Sequence, residues 1–455
     1  MEQTTVFQIV MKLYEQKKFQ ELKLIMNEMN PADIANILEL TDGMDMLAMF
    51  RLLPKELAAE TFAYIETEQQ EQLITLFSDN ELRYMISELF LDDTVAIIDE
   101  MPASVVSRIL KNADPHTRAQ INELLAYPDD SAGSIMTPEY VYLNRKKTVQ
   151  EAFERIRKVG LNKETVYTCY VTEARKLLGV VSLLDLLTAE PETVIEDIMD
   201  TNVISVTTKD DKEVVADTLA KYDLLAIPVV DAENRIVGIV TVDDAIDVIT
   251  EETTEDIEKM AAIAPTDKSY FRTGVFETVT KRIPWLLLLM LSATFTGMII
   301  TGFEDKLATC VVLTSFIPML MGTGGNAGGQ ASATIIRSLS LGDIELRDIF
   351  KTIWKEARVA LLCGTALAIV NFGKMLLIDR LLLNNSEVTT QVSLVVCLAL
   401  LVSVFVAKII GCSLPIAAKA MKLDPAVMAS PFITTIVDAV SLLAYFVIAA
   451  SVLGI

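Results

Sequence analysis

Five long apolar runs occupy the C-terminal part of this chain, and they fix the environment in which that part folds. A helix that crosses the hydrocarbon core of a bilayer needs about 20 mostly apolar residues. Four of the runs reach that length, whereas the second is shorter and ends in a cluster of glycines. Buried helices of a large soluble protein are the alternative, but five such runs in fewer than 180 residues argue against it. The runs are Pro284–Phe303, Leu307–Gly322, Val359–Ile378, Val392–Ala417 and Ala426–Leu453.

Lysine and arginine residues between the runs give the expected orientation. Lys281 and Arg282 precede the first run, five basic residues separate the second run from the third, and Lys419 and Lys422 separate the fourth from the fifth. These segments share one side of the membrane with the first 280 residues, and excess positive charge marks the cytoplasmic side. We therefore predict a multi-pass protein of the cell membrane, with a cytoplasmic N-terminus, a C-terminus outside and lipid around its helices. No apolar segment near Met1 predicts a cleaved signal peptide.

Charge is divided unevenly between the two parts of the chain. Residues 1–270 hold 25 Lys and Arg against 51 Asp and Glu. The remaining residues hold 14 Lys and Arg against 11 Asp and Glu. Affinity for phosphate backbones comes from basic surface, so we predict no nucleic-acid partner for the acidic part.

Histidine and cysteine are scarce, which narrows the chemistry that the chain can perform. His116 is the one histidine, and the five cysteines contain no CxxC spacing. The chain therefore has too few suitable residues for a thiolate zinc site, a disulfide framework or a histidine general base. We see no nucleophile–base pair and predict that the protein is not an enzyme. Metal chemistry would use oxygen ligands, which hard cations such as Mg²⁺ or Ca²⁺ prefer.

Asp438 lies near the middle of the last apolar run. A carboxylate at that depth costs about 2.5–3.5 kcal/mol on insertion scales, so it should face other helices or water. Thr434 and Ser441 share its helical face and offer hydroxyl oxygens. Pro431 cannot donate an N–H, and we expect it to leave the carbonyl of Val427 free to line a wet cavity. We interpret this group as part of a pore.

Two other interpretations of Asp438 remain open. The carboxylate could pair with Lys408 or Lys374 of another apolar run, or it could be protonated in lipid.

The glycine-rich segment Gly322–Gly329 also allows two interpretations. It lacks the Gly-Lys-Ser/Thr ending of a phosphate-binding loop, and it fits either a flexible loop or a close approach of backbones beside a pathway.

An internal repeat lies between about residues 134 and 250. Leu178–Asp185 corresponds to Val237–Asp244, and each copy reads strand, helix, strand, strand, helix. The two copies resemble a tandem pair of cystathionine-β-synthase (CBS) domains. In such pairs the Ser/Thr-x-x-Asp end holds the ribose of an adenine nucleotide such as ATP, although some pairs bind none. The corresponding residues are Ser182, Asp185, Thr241 and Asp244.

The segments on either side of the repeat are predicted to be helical. Residues 1–130 show short helical patterns that start at Pro or Asp, with an apolar face at Leu22, Ile25, Met26 and Met29. After the repeat, residues 243–258 form a helical pattern that carries rows of acidic side chains toward the membrane part. Like charges at helical spacing destabilise an isolated helix, so these rows form either a solvated face or a site where divalent ions bridge acidic segments.

These features together resemble the MgtE family of magnesium channels over essentially the whole chain. The most specific matches are Tyr127–Pro138, Gly322–Gln330 and Asp424–Pro431 with Asp438. The resemblance implies four parts: a helical N-terminal domain (1–130), an α/β tandem CBS pair (131–250), a connecting plug helix (251–280) and a five-helix transmembrane domain (281–455). It also implies a homodimer with a central pore, in which Asp438 holds hydrated Mg²⁺ near Thr434.

The resemblance further implies regulatory Mg²⁺ sites in the acidic part. The matching positions are Glu60, Asp92, Asp211, Glu213, Asp223, Asp244, Asp247, Glu252, Glu255 and Asp256. Two departures affect these expectations, because Ala96 stands where another acidic ligand is expected and Ser430 stands where an Asn often precedes the proline. We hypothesise a homodimeric Mg²⁺ channel that is driven by the membrane potential and closed by Mg²⁺ on its acidic domains. The alternatives are a transporter of Co²⁺ or Mn²⁺ and a non-conducting, nucleotide-sensing membrane scaffold.

Overall fold

The structure is a computed structural model that describes residues 2–41, 43–266, 270, 273–428 and 430–454. The chain forms two compact units, the first ending at Ile249 and the second beginning at Thr250.

The first unit starts with ten short helices, as the sequence predicts. Polar caps and prolines fix where several of them begin. Asn30 accepts a hydrogen bond from the amide of Ala32 at 3.1 Å, and Pro31 follows as the first helical residue. Ser78 and Glu81 form a reciprocal capping box. The helices are α1 (Glu2–Glu15), α2 (Phe19–Asn27), α3 (Pro31–Glu39), α4 (Gly43–Phe50), α5 (Lys55–Ala63), α6 (Thr67–Leu76), α7 (Asp79–Glu88), α8 (Leu91–Asp99), α9 (Ala103–Asn112) and α10 (Pro115–Leu124).

The repeat forms two three-stranded sheets of the same order. In each sheet the first strand runs parallel to the second and the second antiparallel to the third. The first copy contains β1 (Tyr140–Asn144), α11 (Val149–Val159), β2 (Thr165–Glu173), β3 (Lys176–Ser182) and α12 (Leu183–Thr188). The second copy contains β4 (Val206–Thr207), α14 (Lys212–Lys221), β5 (Ala226–Val230), β6 (Ile236–Thr241) and α15 (Val242–Met260), with α13 (Ile195–Ile198) between the copies. The predicted element order of both copies is confirmed.

A shared core joins the N-terminal helices to the second copy of the repeat. Leu22 and Met26 of the predicted apolar face are fully buried in it, together with Val215 and Ile227 of the second copy. The first copy buries its own cluster around Leu143 and Val181. The acidic helices therefore pack as one body with the second copy.

The second unit consists largely of long helices. They are α16 (Val275–Gly302), α17 (Glu304–Thr309), α18 (Ile317–Ser340), α19 (Ile349–Lys374), α20 (Thr390–Ala420) and α21 (Ser430–Leu453). Short 3₁₀ segments lie at Val311–Phe316, Leu346–Asp348 and Pro425–Met428, and a π-helical segment, Met375–Leu382, extends α19. Four helical stretches among the described residues are long and apolar enough to cross a bilayer: Val275–Gly302, Leu346–Leu382, Thr390–Ala420 and Pro425–Leu453.

The glycine-rich segment is a helix, so of its two interpretations the flexible loop is wrong. Gly322–Gly329 lies inside α18, which extends well beyond the predicted run at Leu307–Gly322. The reason is packing, because a Cβ on Gly411 of α20 would stand 2.2 Å from the carbonyl oxygen of Gly328. A Cβ on Gly328 would stand 2.8 Å from the side chain of Ile433 in α21. Missing side chains let the backbones of α18 and α20 meet and let a side chain of α21 pack against α18, as in other membrane bundles, and this agrees with the close-approach interpretation.

We predict that Gly411→Ala destabilises the helical bundle by about 1–3 kcal/mol, because the added methyl overpacks the crossing of α18 and α20. Gly373→Ala is the matched control, since a Cβ there meets nothing within 4 Å. Thermal unfolding of the detergent-solubilised protein measures both. Equal melting temperatures for the two variants would contradict the close crossing.

Candidate functional site

Three carboxylates of the first unit come together from distant parts of the chain. Asp92 lies in the first turn of α8, Glu139 just before β1 and Glu164 just before β2. One oxygen from each lies within 4.8 Å of the other two, a spacing at which three oxygens could hold one metal ion. We call these three residues the acidic cluster.

The protein provides few hydrogen-bond partners for the carboxylate oxygens of this cluster. Oδ1 of Asp92 and Oε2 of Glu164 are buried and have no hydrogen-bond partner among the described residues. Glu139 accepts one hydrogen bond, from the amide of Leu91 at 3.3 Å. Buried polar atoms normally have partners, and an orphaned carboxylate oxygen points to an ion that completes the site. Mg²⁺ fits such a site because it prefers carboxylate oxygens and keeps several of its waters.

Burial raises the pKa of every member of the cluster, and repulsion from neighbouring carboxylates raises the pKa of Asp92 and Glu164 further. Burial, followed by repulsion from Asp244 and Asp93, raises the pKa of Glu164 to about 7. Burial and then Asp244 raise the pKa of Asp92 well above its usual range. Burial raises the pKa of Glu139 as well. The neighbours Asp93 and Asp244 have a pKa raised to about 6, in both cases mainly by burial. A divalent cation would remove the repulsion that these shifts report.

The sequence predicted two residues of this region and missed others. Asp92 and Asp244 were expected as metal ligands, and the structure brings them within electrostatic reach of each other. Asp247 is a further neighbour of Asp244 on α15. Glu139 and Glu164 were missed, since single acidic residues before strands carry no spacing signal.

The remaining predicted regulatory residues of the first unit lie elsewhere on its surface. Glu60 is exposed on α5, and Asp223 is exposed in the turn after α14 with φ 51°. Asp211 caps α14 and accepts a hydrogen bond from the amide of Glu213 at 2.9 Å. Their roles as metal ligands stay predictions.

A second acidic group lies in the second unit, at the end of α15. Lys259 Nζ lies 2.7 Å from Oε1 of Glu255 and 2.6 Å from Oδ2 of Asp424. Burial lowers the pKa of Lys259, but its hydrogen bonds to Asp424 and Glu255 outweigh burial and raise it. Burial and then Asp424 raise the pKa of Asp256. The sequence predicted Glu255 and Asp256 but missed the contribution of Lys259, which connects α15 to the turn before α21. Glu252 lies one turn earlier on the same helix.

The predicted nucleotide residues form helix caps. Ser182 Oγ donates to Asp185 Oδ2 at 2.6 Å at the start of α12, and Thr241 Oγ1 donates to Asp244 Oδ2 at 2.6 Å at the start of α15. The matching geometry confirms the correspondence of the two copies. Nucleotide binding at these residues stays a prediction.

Asp438 occupies the membrane helix α21 as expected. Its Oδ1 is buried without a hydrogen-bond partner in the part of the chain that the structure describes. Both lysines that were considered as partners pair elsewhere, Lys408 with Glu356 at 3.8 Å and Lys374 with Asp379 at 3.0 Å. Neither lysine therefore neutralises Asp438 in the structure.

Two expectations about the neighbours of Asp438 need correction. Pro431 lies in the first turn of α21, where a missing N–H costs nothing, so it does not break the interior of a helix and gives no reason for a free carbonyl at Val427. Val427 lies instead in the short 3₁₀ segment before α21. Ser441 is buried and accepts a hydrogen bond from Ser403 Oγ of α20 at 2.5 Å, so its hydroxyl serves helix packing. Thr434 stays a predicted neighbour, one turn before Asp438.

Comparison with known proteins places these sites in a family. The MgtE model, described as a divalent cation transporter, matches residues 317–448, the MgtE intracellular N domain matches 29–130, and the CBS domain matches 132–192 and 195–251. The magnesium transporter MgtE of Thermus thermophilus is 36% identical over 433 residues, which is 94% of each chain. This chain belongs to the MgtE family.

Other members support the same assignment. MgtE of Bacillus subtilis is 32% identical over 432 residues and covers 92% of this chain and 94% of its own length. A crystal structure of the soluble part of a magnesium transporter is 30% identical, with a TM-score of 0.52, over 55% of this chain and 99% of that one. The predicted family, the helical N-terminal domain and the CBS pair are confirmed. Like other MgtE transporters, the chain is a membrane protein.

We predict that the first unit loses stability as the pH rises through 6–7 without divalent ions. Carboxylates whose pKa is raised on folding bind more protons in the folded state, so their contribution is present below about pH 4 and is lost above the folded pKa. The expected loss is roughly 1–3 kcal/mol after allowance for solvent screening. Mg²⁺ should restore it.

Thermal unfolding of the full chain in EDTA and in MgCl₂ between pH 5 and 8 tests this, with the pH range set by the pKa shifts. Asp92→Asn combined with Glu164→Gln should flatten both the pH and the Mg²⁺ dependence. Asp99→Asn, an exposed carboxylate on the same helix α8, is the matched control. A wild-type pH profile in the double variant would exclude the cluster as the cause.

Proposed function

We propose that this MgtE family member forms a homodimeric channel for passive Mg²⁺ uptake, closed when its acidic segments hold cytosolic Mg²⁺. The observation that carries the proposal is Asp438, a membrane-helix carboxylate whose buried Oδ1 has no partner among the described residues. Because Lys374 and Lys408 are paired elsewhere, a cation from outside the chain is the natural counter-ion. The names of the relatives, magnesium transporters, agree.

The pore would recognise Mg²⁺ with its water shell. Mg²⁺ dehydrates reluctantly, so carboxylates of two Asp438 residues, one from each copy, suit a hydrated ion better than a stripped one. The hydroxyl of Thr434 is the next oxygen on this face. The membrane potential supplies the driving force, at about 4.6 kcal/mol for two charges per 100 mV, so no ATP hydrolysis is needed.

A dimer requires a surface on which two copies meet, and the CBS pair exposes apolar side chains suited to it. Leu184 and Leu187 of α12 are 68% and 64% exposed, and Ile246 of α15 is 56% exposed. Large apolar residues that stay exposed on the last helix of each copy are typical of an interaction surface. A second copy would cover them and bring its Asp438 toward the first. We propose a cytoplasmic N-terminus and a C-terminus outside for each copy.

Gating is proposed to depend on the carboxylates that repel each other. The acidic cluster joins α8 to the CBS pair, and α15 reaches the turn before the pore helix through Lys259 and Asp424. Met260 packs with Ile336 and Ala426 in the same region. With Mg²⁺ held, the carboxylates stay together and α15 holds the pore helix closed; without it, repulsion separates them and releases α15.

Replacing Asp438 tests the pore directly. Asp438→Asn should lower Mg²⁺ uptake into proteoliposomes at least tenfold while leaving the melting temperature near that of the wild type, because the change removes charge without changing size. Glu387→Gln, an exposed carboxylate outside the spans, is the control. Wild-type flux through Asp438→Asn would end the pore assignment, and equal flux of Co²⁺ or Mn²⁺ would favour a general divalent-ion transporter.

Neutralising the acidic cluster tests the gate. Asp92→Asn with Glu164→Gln should raise the cytoplasmic Mg²⁺ concentration needed for half inhibition by about tenfold, since one carboxylate pair worth about 1.4 kcal/mol is lost. Asp99→Asn should leave it unchanged. The measurement is Mg²⁺ flux into proteoliposomes as the Mg²⁺ concentration on the cytoplasmic face is raised stepwise from a low value. Unaltered inhibition in the double variant would remove the cluster from the gate.

A further inference from the structure

The first turns of α19 carry an exposed face that none of the sites above uses. Lys351, Lys355 and Arg358 are exposed on it, and so are two aromatic residues, Phe350 at 84% and Trp354 at 65%. At 3.6 residues per turn, these five positions fall within an arc of about 140° around the helix. We call these five residues the cationic–aromatic face.

The opposite side of the same turns packs against protein. Thr352 and Ala360 are buried there. Glu356 lies between them and pairs with Lys408 of α20, with Oε2 of Glu356 3.8 Å from Nζ of Lys408. The carboxylate of α19 is therefore engaged at the contact with α20, and the cations of the cationic–aromatic face keep their charge.

These cations repel one another and have no acidic partner in the part of the chain that the structure describes. The neighbouring Arg347 pairs with Glu345 at 2.9 Å, but no described ion pair involves the three cations of the face. Lys351 and Lys355 are four residues apart, and Lys355 and Arg358 are three apart, spacings at which like charges destabilise a helix. An anion bound among them would remove that repulsion.

Trp354 and Arg358 stand side by side at the centre of the face. The Cζ of Arg358 lies 6.0 Å from the centroid of the Trp354 ring, and its Nε donates to the carbonyl of Trp354 at 3.4 Å. Tryptophan is enriched where a membrane helix passes from the headgroups to the hydrocarbon. The arrangement therefore places a cation beside a ring that favours the membrane interface.

The same side of α19 becomes aliphatic within one further turn. Leu361, Leu362 and Ile369 are exposed on it, and they belong to the stretch Leu346–Leu382, which is long and apolar enough to cross a bilayer. Along the helix the surface thus changes from cationic and aromatic to aliphatic. A phospholipid changes in the same order, from a charged headgroup to acyl chains.

This order favours a lipid over the other possible occupants of the face. A soluble anion could contact the cations but would leave Leu361 and Leu362 exposed to water. A second copy of the chain that docked symmetrically on this face would bring three further cations against the first three. A lipid with a negative headgroup complements both the charged and the aliphatic parts.

We propose that the cationic–aromatic face binds one anionic phospholipid, with its phosphate among the three cations, its glycerol region against Trp354 and an acyl chain along Leu361. Each basic residue near a membrane surface strengthens attraction to anionic lipid by about fivefold. The bound lipid would hold the outer side of a helix whose inner side is paired with α20 through Glu356. The inference does not depend on conduction by the membrane part.

Quenching of Trp354 fluorescence by brominated lipid tests the site, because Trp285 and Trp354 are the two tryptophans of the chain. The full chain with Trp285→Phe is reconstituted in mixtures of phosphatidylglycerol and phosphatidylcholine, with bromine on the acyl chains of one lipid or the other. The two quenching curves give the relative affinity of the lipids beside Trp354. We expect phosphatidylglycerol to bind at least about fivefold more tightly at low salt, and high salt to reduce this preference.

Two double variants separate a local site from net charge. Lys351→Gln with Arg358→Gln should bring the preference close to one. Lys306→Gln with Arg380→Gln removes the same charge from exposed residues beyond the C-terminal ends of α16 and α19, and it should keep the wild-type preference. Circular dichroism checks folding. Should Trp285→Phe not fold, the difference in fluorescence between the wild type and Trp354→Phe isolates the same signal.

A preference that is lost in the first double variant and kept in the second supports the lipid site. Equal quenching by the two lipids would overturn the inference, as would an unchanged preference in Lys351→Gln with Arg358→Gln. Absence of quenching by either lipid would also overturn it, because protein would then cover the face. Reversal of the preference by soluble glycerol 3-phosphate would assign the cations to a free anion instead of a lipid.

Discussion

Carboxylates that the chain itself does not neutralise are the constraint on which the rest of this structure depends. Asp92 and Glu164 in the first unit and Asp438 in the membrane helix α21 each keep a buried oxygen without a partner among the described residues. Leaving such charges buried costs several kcal/mol unless a counter-ion is supplied. We propose that a bound cation neutralises them in both units, because a hard, hydrated cation suits oxygen ligands better than any ion that prefers sulfur or imidazole.

The two units meet this need with different scaffolds. In the first unit, residues far apart in sequence converge because the N-terminal helices and the second CBS copy share one core. In the membrane unit, Gly328 and Gly411 let α18, α20 and α21 approach closely, which fixes the helix that carries Asp438. Lys259 is the exception, since this cation of the chain itself forms ion pairs with both Glu255 and Asp424. The end of α15 can thus stay attached to the turn before α21 with fewer external ions.

Patterns of local origin were predictable from the sequence, and contacts across the fold were not. Apolar length, the repeat and the capping residues predicted the helices, both CBS copies and the position of Asp438. Gly322–Gly329 allowed two interpretations because glycine gives no helical signal, and only packing against the backbone of α20 and the side chains of α21 explains the helix. Pro431 suggested a broken helix because the start of α21 cannot be located within a continuous apolar run. Glu139 and Glu164 were missed because nothing local marks an acidic residue whose partners lie dozens of residues away.

Diffraction near the manganese absorption edge, from crystals of the full chain grown with MnCl₂ in place of MgCl₂, tests this account most directly. The account predicts anomalous peaks between Asp92, Glu139 and Glu164 and on a two-fold axis between the Asp438 carboxylates of two copies. Ordered side chains at both places with no metal peak at either would contradict it, because the orphaned oxygens would then have to be protonated rather than bound to a cation.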